Sequence, residues 1–131
     1  MSNYTSFTPS NAEITVSDTI TLFLQDRKAS GCTKRTLENY GLDLNNLSKF
    51  CNVQGITFVT QISSNILRQY LLQLGKCHNP GGVHKYYRSV RAMFNWVDND
   101  DLMLDGWKNP IKKVRAPKVP NVTVVQSVQE S

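Results

Sequence analysis

The spacing of apolar and polar residues along the chain predicts helices throughout, and the first of them is marked near residue 17. Ser17 is a suitable N-cap, and this helix should end near Ala29 because Gly31 adopts a left-handed C-terminal conformation at little cost. Its apolar residues lie three and four positions apart, as expected for one buried face: Ile20, Phe23 and Leu24.

The second helix has the clearest pattern in the sequence. Thr33 can cap it, and its apolar positions alternate steps of three and four: Leu37, Tyr40, Leu44, Leu47 and Phe50. At ~100° per residue, three polar residues fall on the opposite face and should point to solvent: Arg35, Asn39 and Asn46. Arg35 and Asn39 are four residues apart near the helix start, so both side chains can enter a groove together.

Two further helices follow in the second half of the chain. The third should begin at Ser63 or Ser64 and stop at Gly75, with an inner face formed by Ile66, Tyr70, Leu71 and Leu74. The fourth should run from about Gly82 to Val97, with these residues inward: Val83, Tyr86, Val90, Met93, Phe94 and Val97. Its other face, within about 120° on the helical wheel, carries His84, Lys85, Arg88, Arg91 and Asn95.

The chain of 131 residues is long enough for one domain with tails. Residues 1–16 are polar and aperiodic, which predicts a flexible arm, and residues 17–107 should form the helical domain. Asn109-Pro110 should end regular structure, so residues 108–131 are interpreted as an extended basic linker and tail.

Charge is unevenly distributed along the sequence. The formal net charge is +5, and residues 76–97 contain only basic ionic side chains, with no carboxylate to neutralise the basic face of the fourth helix. Four aspartates follow at 98, 100, 101 and 105, and residues 106–121 are again purely basic. Such basic blocks are typical of nucleic-acid-binding surfaces, although ordinary solvated surfaces can also carry them.

No complete catalytic or metal-binding motif occurs in the sequence. GxSxG, GxxxxGK[ST], HExxH and GxGxxG are all missing, which disfavours a small enzyme. A zinc site at Cys77, His78 and His84 would lack a fourth ligand at ordinary spacing, and the aspartates after 97 do not match an EF-hand. We therefore expect no metal and no cofactor.

The cellular environment is indicated by cysteine usage and hydropathy. Three cysteines with no CxxC pair suit a reducing cytoplasm, where they should be inert packing residues. No apolar run approaches the ~18 residues of a membrane span, so we expect no membrane partner.

The order and spacing of several short motifs resemble the core-binding domain of phage integrases, which are tyrosine recombinases. The motifs lie in residues 31–40, 62–74 and 90–96, followed by Asn109-Pro110 and the basic stretch KKVRAPKVP. The resemblance covers about residues 14–120. It implies an all-α, SAM-like bundle of four to five helices that binds duplex DNA in the bacterial or phage cytoplasm, at the nucleoid.

The resemblance also implies which residues contact DNA. In the family, contacts come from the start of the second helix and from the fourth helix, which here correspond to Lys34, Arg35, Asn39, His84, Lys85 and Arg88. The helical wheel adds Arg91 to this set. Linker contacts correspond to Lys112, Lys113 and Arg115. Partners implied by the family are a C-terminal catalytic domain and other integrase protomers in a synaptic complex.

The sequence departs from the family in one large respect, because the catalytic half is missing. That half carries two arginines, a His-x-x-Arg element and a late tyrosine nucleophile, whereas here Arg88 follows His84 at a different spacing and the last tyrosine is Tyr87. We therefore expect a fragment of a recombinase that does not cleave DNA. The alternative interpretation is a helical protein-interaction module whose basic face binds an acidic partner.

Overall fold

The computed structural model describes residues 14–103 and 106–119. Four α-helices account for most of this part of the chain: α1 (Val16–Ala29), α2 (Lys34–Val53), α3 (Ser64–Leu74) and α4 (Pro80–Asn99). Short 3₁₀ turns occur at Val59–Gln61 and Pro110–Lys113, and there is no extended strand among the described residues. The predicted all-α class with four helices is confirmed, whereas most of the expected arm, residues 1–13, lies outside the described residues.

Helix α1 begins slightly earlier than predicted. Thr15, and not Ser17, is the N-cap, because its Oγ1 accepts a hydrogen bond from the backbone N–H of Asp18 at 3.0 Å. A short antiparallel contact with the loop before α3 fixes this start, since the N–H of Val16 donates to the carbonyl of Thr57 at 2.9 Å. The predicted end is confirmed, with φ of 92° at Gly31.

The caps predicted for α2 and α3 are confirmed at Thr33 and Ser63. The most buried residue of α3 is Leu67, which is 1% exposed. Ile66, which was predicted to face inward, is only half-buried. On α2 the expectation that Asn46 faces solvent is wrong: its Oδ1 accepts a hydrogen bond from the Tyr70 hydroxyl at 2.7 Å.

Helix α4 begins earlier than its apolar pattern indicated. Asn79 caps it by accepting a hydrogen bond from the N–H of Gly82 at 2.8 Å, and Pro80 takes the first helical position, where its missing N–H has no cost. One phase assignment is wrong, because Tyr87 is buried at 5% exposure whereas the predicted Tyr86 is half-buried.

The core lies where all four helices meet. Phe23 of α1 is fully buried, and its ring packs edge-on against Tyr40 of α2 at 5.2 Å and Trp96 of α4 at 5.6 Å. Phe50 and Tyr70 form a second aromatic contact at 5.2 Å between α2 and α3. These aromatic pairs fix the relative positions of the helices, on which the candidate site depends.

The segment after residue 107 begins as part of this core, so residues 110–114 do not form the extended linker that was expected from residue 108 onward. The 3₁₀ turn at Pro110–Lys113 buries Ile111, and Val114 is buried beside it. The Ser64 hydroxyl donates to the carbonyl of Pro110 at 2.9 Å. The packed core therefore continues into the segment assigned to the linker, and residues 115–119 follow it without regular secondary structure.

Candidate nucleic-acid interface

The polar face at the start of α2 is open to solvent. The Thr33 hydroxyl accepts a hydrogen bond from the N–H of Thr36 at 3.1 Å, which fixes the first turn. Lys34, Arg35 and Asn39 are all exposed on the first two turns of the helix. These three predicted contact residues therefore lie on an accessible surface.

Helix α4 presents its predicted basic residues on one exposed face. Lys85, Arg88 and Arg91 are exposed, and His84 is half-buried beside them. The buried Tyr87 ring lies beneath two of these side chains, because its centroid is 6.0 Å from the His84 ring and 5.9 Å from the Arg91 guanidinium carbon. Tyr87 is thus a support for the basic face and not an exposed group on it.

Asn95, the last residue predicted for this face, belongs to the packing of the C-terminal segment. It is half-buried, and its Oδ1 accepts a hydrogen bond from the Asn109 side-chain amide at 3.1 Å. Asn95 is thus half-buried like His84, and its side-chain oxygen is engaged in the docking of the C-terminal segment.

An open groove of about 270 Å³ lies between the start of α2 and α4. Its lining comes from both helices: Thr36, Asn39, Tyr40, Asp43, Lys85, Arg88 and Ser89. Three residues that the sequence analysis selected on two separate helices, Asn39, Lys85 and Arg88, thus meet at one concave surface. We call this surface the α2–α4 groove.

The α2–α4 groove contains a carboxylate that the sequence analysis did not single out. The Asp43 side chain is 3% exposed, and its Oδ1 lies 2.5 Å from Nζ of Lys85. Its Oδ2 accepts a hydrogen bond from the Ser89 hydroxyl at 2.6 Å. The expectation that no carboxylate neutralises the basic face of the fourth helix is therefore wrong, because the carboxylate is supplied by α2.

A signal for this residue was present in the sequence. Asp43 follows Tyr40 by three positions and precedes Leu47 by four, so it falls on the apolar stripe of α2. A carboxylate on a buried stripe requires a partner, because an unpaired charge is costly to desolvate. The identity of that partner follows only from the packing of α4 on α2.

The predicted linker residues occupy a different part of the surface. Lys112, Lys113 and Arg115 are exposed, and Nζ of Lys112 lies 3.2 Å from an Asp98 carboxylate oxygen. Lys113 and Arg115 line a second groove of about 510 Å³ beside α3, together with Arg68, Leu71, Leu72, Val83, Val114 and Pro117. The structure therefore does not bring the linker residues into the α2–α4 groove.

Burial alters the acidity of two groups in the core. It raises the pKa of the Cys51 thiol to about 11, so this cysteine is protonated and unreactive at neutral pH. Burial also raises the pKa of the Tyr70 hydroxyl. Cys32 is half-buried and Cys77 is exposed, so the expectation that all three cysteines are inert packing residues is wrong for Cys77.

Neither a metal cluster nor a membrane span is found in the described part of the chain. Across residues 14–103 and 106–119, no three His, Cys, Asp or Glu side chains group closely enough to hold a metal ion. None of the described helices is long and apolar enough to cross a membrane.

Comparison with solved structures identifies a protein of similar fold. The chain resembles the N-terminal domain of a phage integrase/site-specific recombinase from Haloarcula marismortui, with a TM-score of 0.69 and 12% sequence identity. The match covers 80% of this chain and 98% of that domain. No protein-family model and no curated protein matches the sequence. At this identity the likeness shows the fold alone, so the all-α architecture of this chain is similar to that of the matched domain.

Proposed function

We propose that this chain binds duplex DNA through the α2–α4 groove and its basic borders, as the core-binding domain of a tyrosine recombinase. The observation that carries the proposal is the convergence of Asn39, Lys85 and Arg88 at one groove in a fold shared with an integrase N-terminal domain. Arg35 extends the basic border on α2, and Arg91 extends it on α4.

The chemistry of this surface suits duplex DNA. Guanidinium groups pair with phosphate oxygens and supply most of the affinity, while an amide such as that of Asn39 can form paired hydrogen bonds with an adenine edge. A helix at each wall provides rigid positions for both kinds of contact. Phosphate contacts would set the position of the domain, and base contacts would set its sequence preference.

In this proposal catalysis belongs to a separate domain of the parent protein. The present domain would position that catalytic domain on the recombination site and would contact other protomers there. Strand cleavage requires a tyrosine flanked by groups that stabilise the phosphate in the transition state. Here Tyr87 is buried and Tyr86 is half-buried beside His78, with ring centroids 5.1 Å apart. Incubation with a nicked suicide duplex should leave no protein-linked DNA on a denaturing gel, and a linked band that disappears in Tyr86→Phe or Tyr87→Phe would contradict this assignment.

The main test is the salt dependence of binding to a short duplex of random sequence, followed by fluorescence anisotropy. If about five exposed cations neutralise phosphates, log K should fall against log salt with a slope near −4 to −5. Arg88→Ala should make the slope shallower by about 0.9, because one phosphate is no longer neutralised. A salt-independent profile would refute DNA binding.

Lys49→Ala is the matched control for this test. Lys49 is also an exposed cation on α2, but it lies ten residues beyond Asn39, about 15 Å along the helix axis, towards the other end of the bundle. The control should leave both affinity and slope unchanged. Equal losses of affinity for Lys49→Ala and Arg88→Ala would mean that binding follows total charge and not the groove.

Sequence preference is tested by selecting duplexes from a random library and comparing them with unselected duplex. Arg35→Ala combined with Asn39→Ala should reduce the preference by about 1–3 kcal/mol for each bidentate hydrogen-bonded pair that is removed. Lys112→Ala should weaken binding to both kinds of duplex equally, because a phosphate contact carries no sequence information. A folded double variant that retains the full preference would exclude the start of α2 as a base-reading surface.

The groove beside α3 favours a second candidate function, the binding of an acidic and apolar segment of another protein. Leu72 is 72% exposed there, and Arg68, Lys113 and Arg115 surround the apolar lining. Leu72→Ser separates the two functions, since it should not alter duplex binding. Heparin is then used as a competitor of the specific duplex. If the protein binds heparin as tightly as it binds the specific duplex, the acidic-partner interpretation is favoured.

A further inference from the structure

The ion pair in the α2–α4 groove sets Lys85 apart from the other cations of the proposed interface. Asp43 is buried and has a partner on each oxygen: the Lys85 ammonium at 2.5 Å and the Ser89 hydroxyl at 2.6 Å. Both partners belong to α4, one turn apart. The carboxylate therefore has a fixed orientation and holds Lys85 against the wall of the groove.

This arrangement leaves the Lys85 ammonium accessible but electrically compensated. Its side chain is 46% exposed, and an ammonium has three N–H donors, of which the bond to Asp43 occupies one. The Tyr86 ring centroid lies 5.1 Å from the Lys85 Nζ, so the ammonium also lies over this ring. Lys85 lines the α2–α4 groove together with Asn39 and Arg88, so its remaining donors are available to a molecule bound there.

A DNA phosphate would gain little electrostatic attraction from the Lys85 ammonium, because Asp43 already neutralises its charge. To act as a free cation, Lys85 would have to leave a carboxylate that is 3% exposed, and a buried carboxylate without its partner is strongly destabilising. Arg88 is different, because no carboxylate forms an ion pair with it among the described residues. The two neighbouring cations should therefore contribute to DNA binding in different ways.

We propose that Lys85 acts as an oriented hydrogen-bond donor to a base edge and not as a phosphate contact, with Asp43 as the residue that positions it and neutralises its charge. The proposal rests on the proposed function, DNA binding at the same groove. Guanine N7 and O6 are the major-groove acceptors that a lysine ammonium contacts most often, so Lys85 should confer a preference for guanine at one position. Lys85 should add to the sequence preference of the domain without adding to its salt dependence.

Charge-matched variants test the proposal by duplex binding at a series of KCl concentrations. Asp43→Asn combined with Lys85→Met replaces a compensated pair by two neutral side chains, so the salt slope should stay that of the parent while the guanine preference in library selection disappears. Asp43→Asn alone keeps an acceptor oxygen but releases the lysine charge, so the slope should become steeper by about 0.9. Arg88→Met, the neighbouring control, should make the slope shallower by about 0.9.

The outcomes separate this proposal from the proposed function. If the double variant makes the slope shallower by as much as Arg88→Met does, Lys85 is an ordinary phosphate contact and the proposal is wrong. If the double variant retains the parent's base preference, Lys85 does not contact a base, and the proposal is equally wrong. If Arg88→Met also leaves the slope unchanged, the α2–α4 groove does not bind DNA, and the proposed function fails with it.

A measurement on the unmodified protein keeps the test decisive if Asp43→Asn fails to fold. In competitive labelling with acetic anhydride, read by mass spectrometry, Lys85 should react slowly with and without DNA because its ammonium is held by Asp43. Lys34 is exposed at the start of α2 and should react rapidly until duplex DNA protects it. Labelling of Lys85 as fast as Lys34 in the free protein would overturn the proposal.

Discussion

Replacing Ile111 by alanine tests whether the segment after residue 107 is part of the folded domain. Ile111 is 4% exposed and lines the same small internal cavity as Leu67, Tyr87 and Val90, which belong to α3 and α4. A linker residue would have no such neighbours, and its truncation would leave stability unchanged. The substitution therefore distinguishes a docked segment from an extended one.

The expected loss of stability follows from the atoms removed. Ile111→Ala deletes about three buried carbon groups, each worth about 0.8 kcal/mol of transfer free energy, and the cavity that remains adds to this. Ile111 is held by a 3₁₀ turn whose Pro110 carbonyl is bonded to Ser64, so the segment cannot easily collapse into the space. We expect the free energy of unfolding to fall by about 2–5 kcal/mol, a large part of an ordinary domain's stability.

Urea denaturation followed by circular dichroism measures this change, with Lys112→Ala as the adjacent control. The Lys112 side chain is 68% exposed and its ion pair with Asp98 is at the surface, so that variant should change stability by less than about 1 kcal/mol. Ile111→Val should show an intermediate decrease of ~0.5–1.5 kcal/mol. If Ile111→Ala unfolds at the same urea concentration as the control, the docking of this segment is refuted.

Four further predictions concern the core, a helix cap, the reactivity of the thiols and the pH dependence of stability. Phe94→Ala should lower the free energy of unfolding by about 3–5 kcal/mol, measured by urea denaturation, because the fully buried ring lies on the inner face of α4. Thr33→Ala should lower it by about 0.5–2 kcal/mol in the same assay, since the N–H of the third helical residue no longer has its acceptor; an unchanged midpoint would contradict this. At mildly alkaline pH iodoacetamide should modify exposed Cys77 quickly and Cys51 only after unfolding. Because the pKa of Cys51 is raised from 9.0 to about 11, the stability linked to its protonated form is retained below about pH 9 and declines as the pH rises through 11, which denaturation at graded pH measures.

Periodicity predicted the helices well because each helix buries one continuous stripe. The stripe of α2 from Tyr40 to Phe50 and the caps at Thr33 and Ser63 are local features, and all of them are confirmed. The apolar pattern mispredicts the start of a helix when the helix begins before its first apolar residue. Helix α4 begins at Pro80, in a turn-rich stretch whose contribution is capping and not burial.

Contacts between distant segments were the part that the sequence could not specify. Tyr86 and Tyr87 are adjacent and chemically identical, so only the packing of α4 against its neighbours decides which of them is buried. The burial of Ile111 depends likewise on the space that α3 and α4 leave between them. In both cases the sequence pattern identifies an apolar or aromatic residue, but it does not predict which surface of the protein covers that residue.

Burial also decides how two similar ion pairs affect the proposed interface. Lys112 and Asp98 are 68% and 34% exposed at 3.2 Å, so water and salt screen the pair and a phosphate can replace the aspartate at little cost. Asp43 is 3% exposed, so its pair with Lys85 cannot be exchanged without leaving a buried charge. A count of basic residues treats these two lysines alike. Burial distinguishes them: Lys112 can exchange its aspartate for a phosphate, whereas Lys85 stays bound to Asp43 and keeps a fixed position. Lys112, Arg88 and Arg91 should therefore contribute to the salt dependence of binding, and Lys85 should not. Lys85 should instead contribute to the sequence preference.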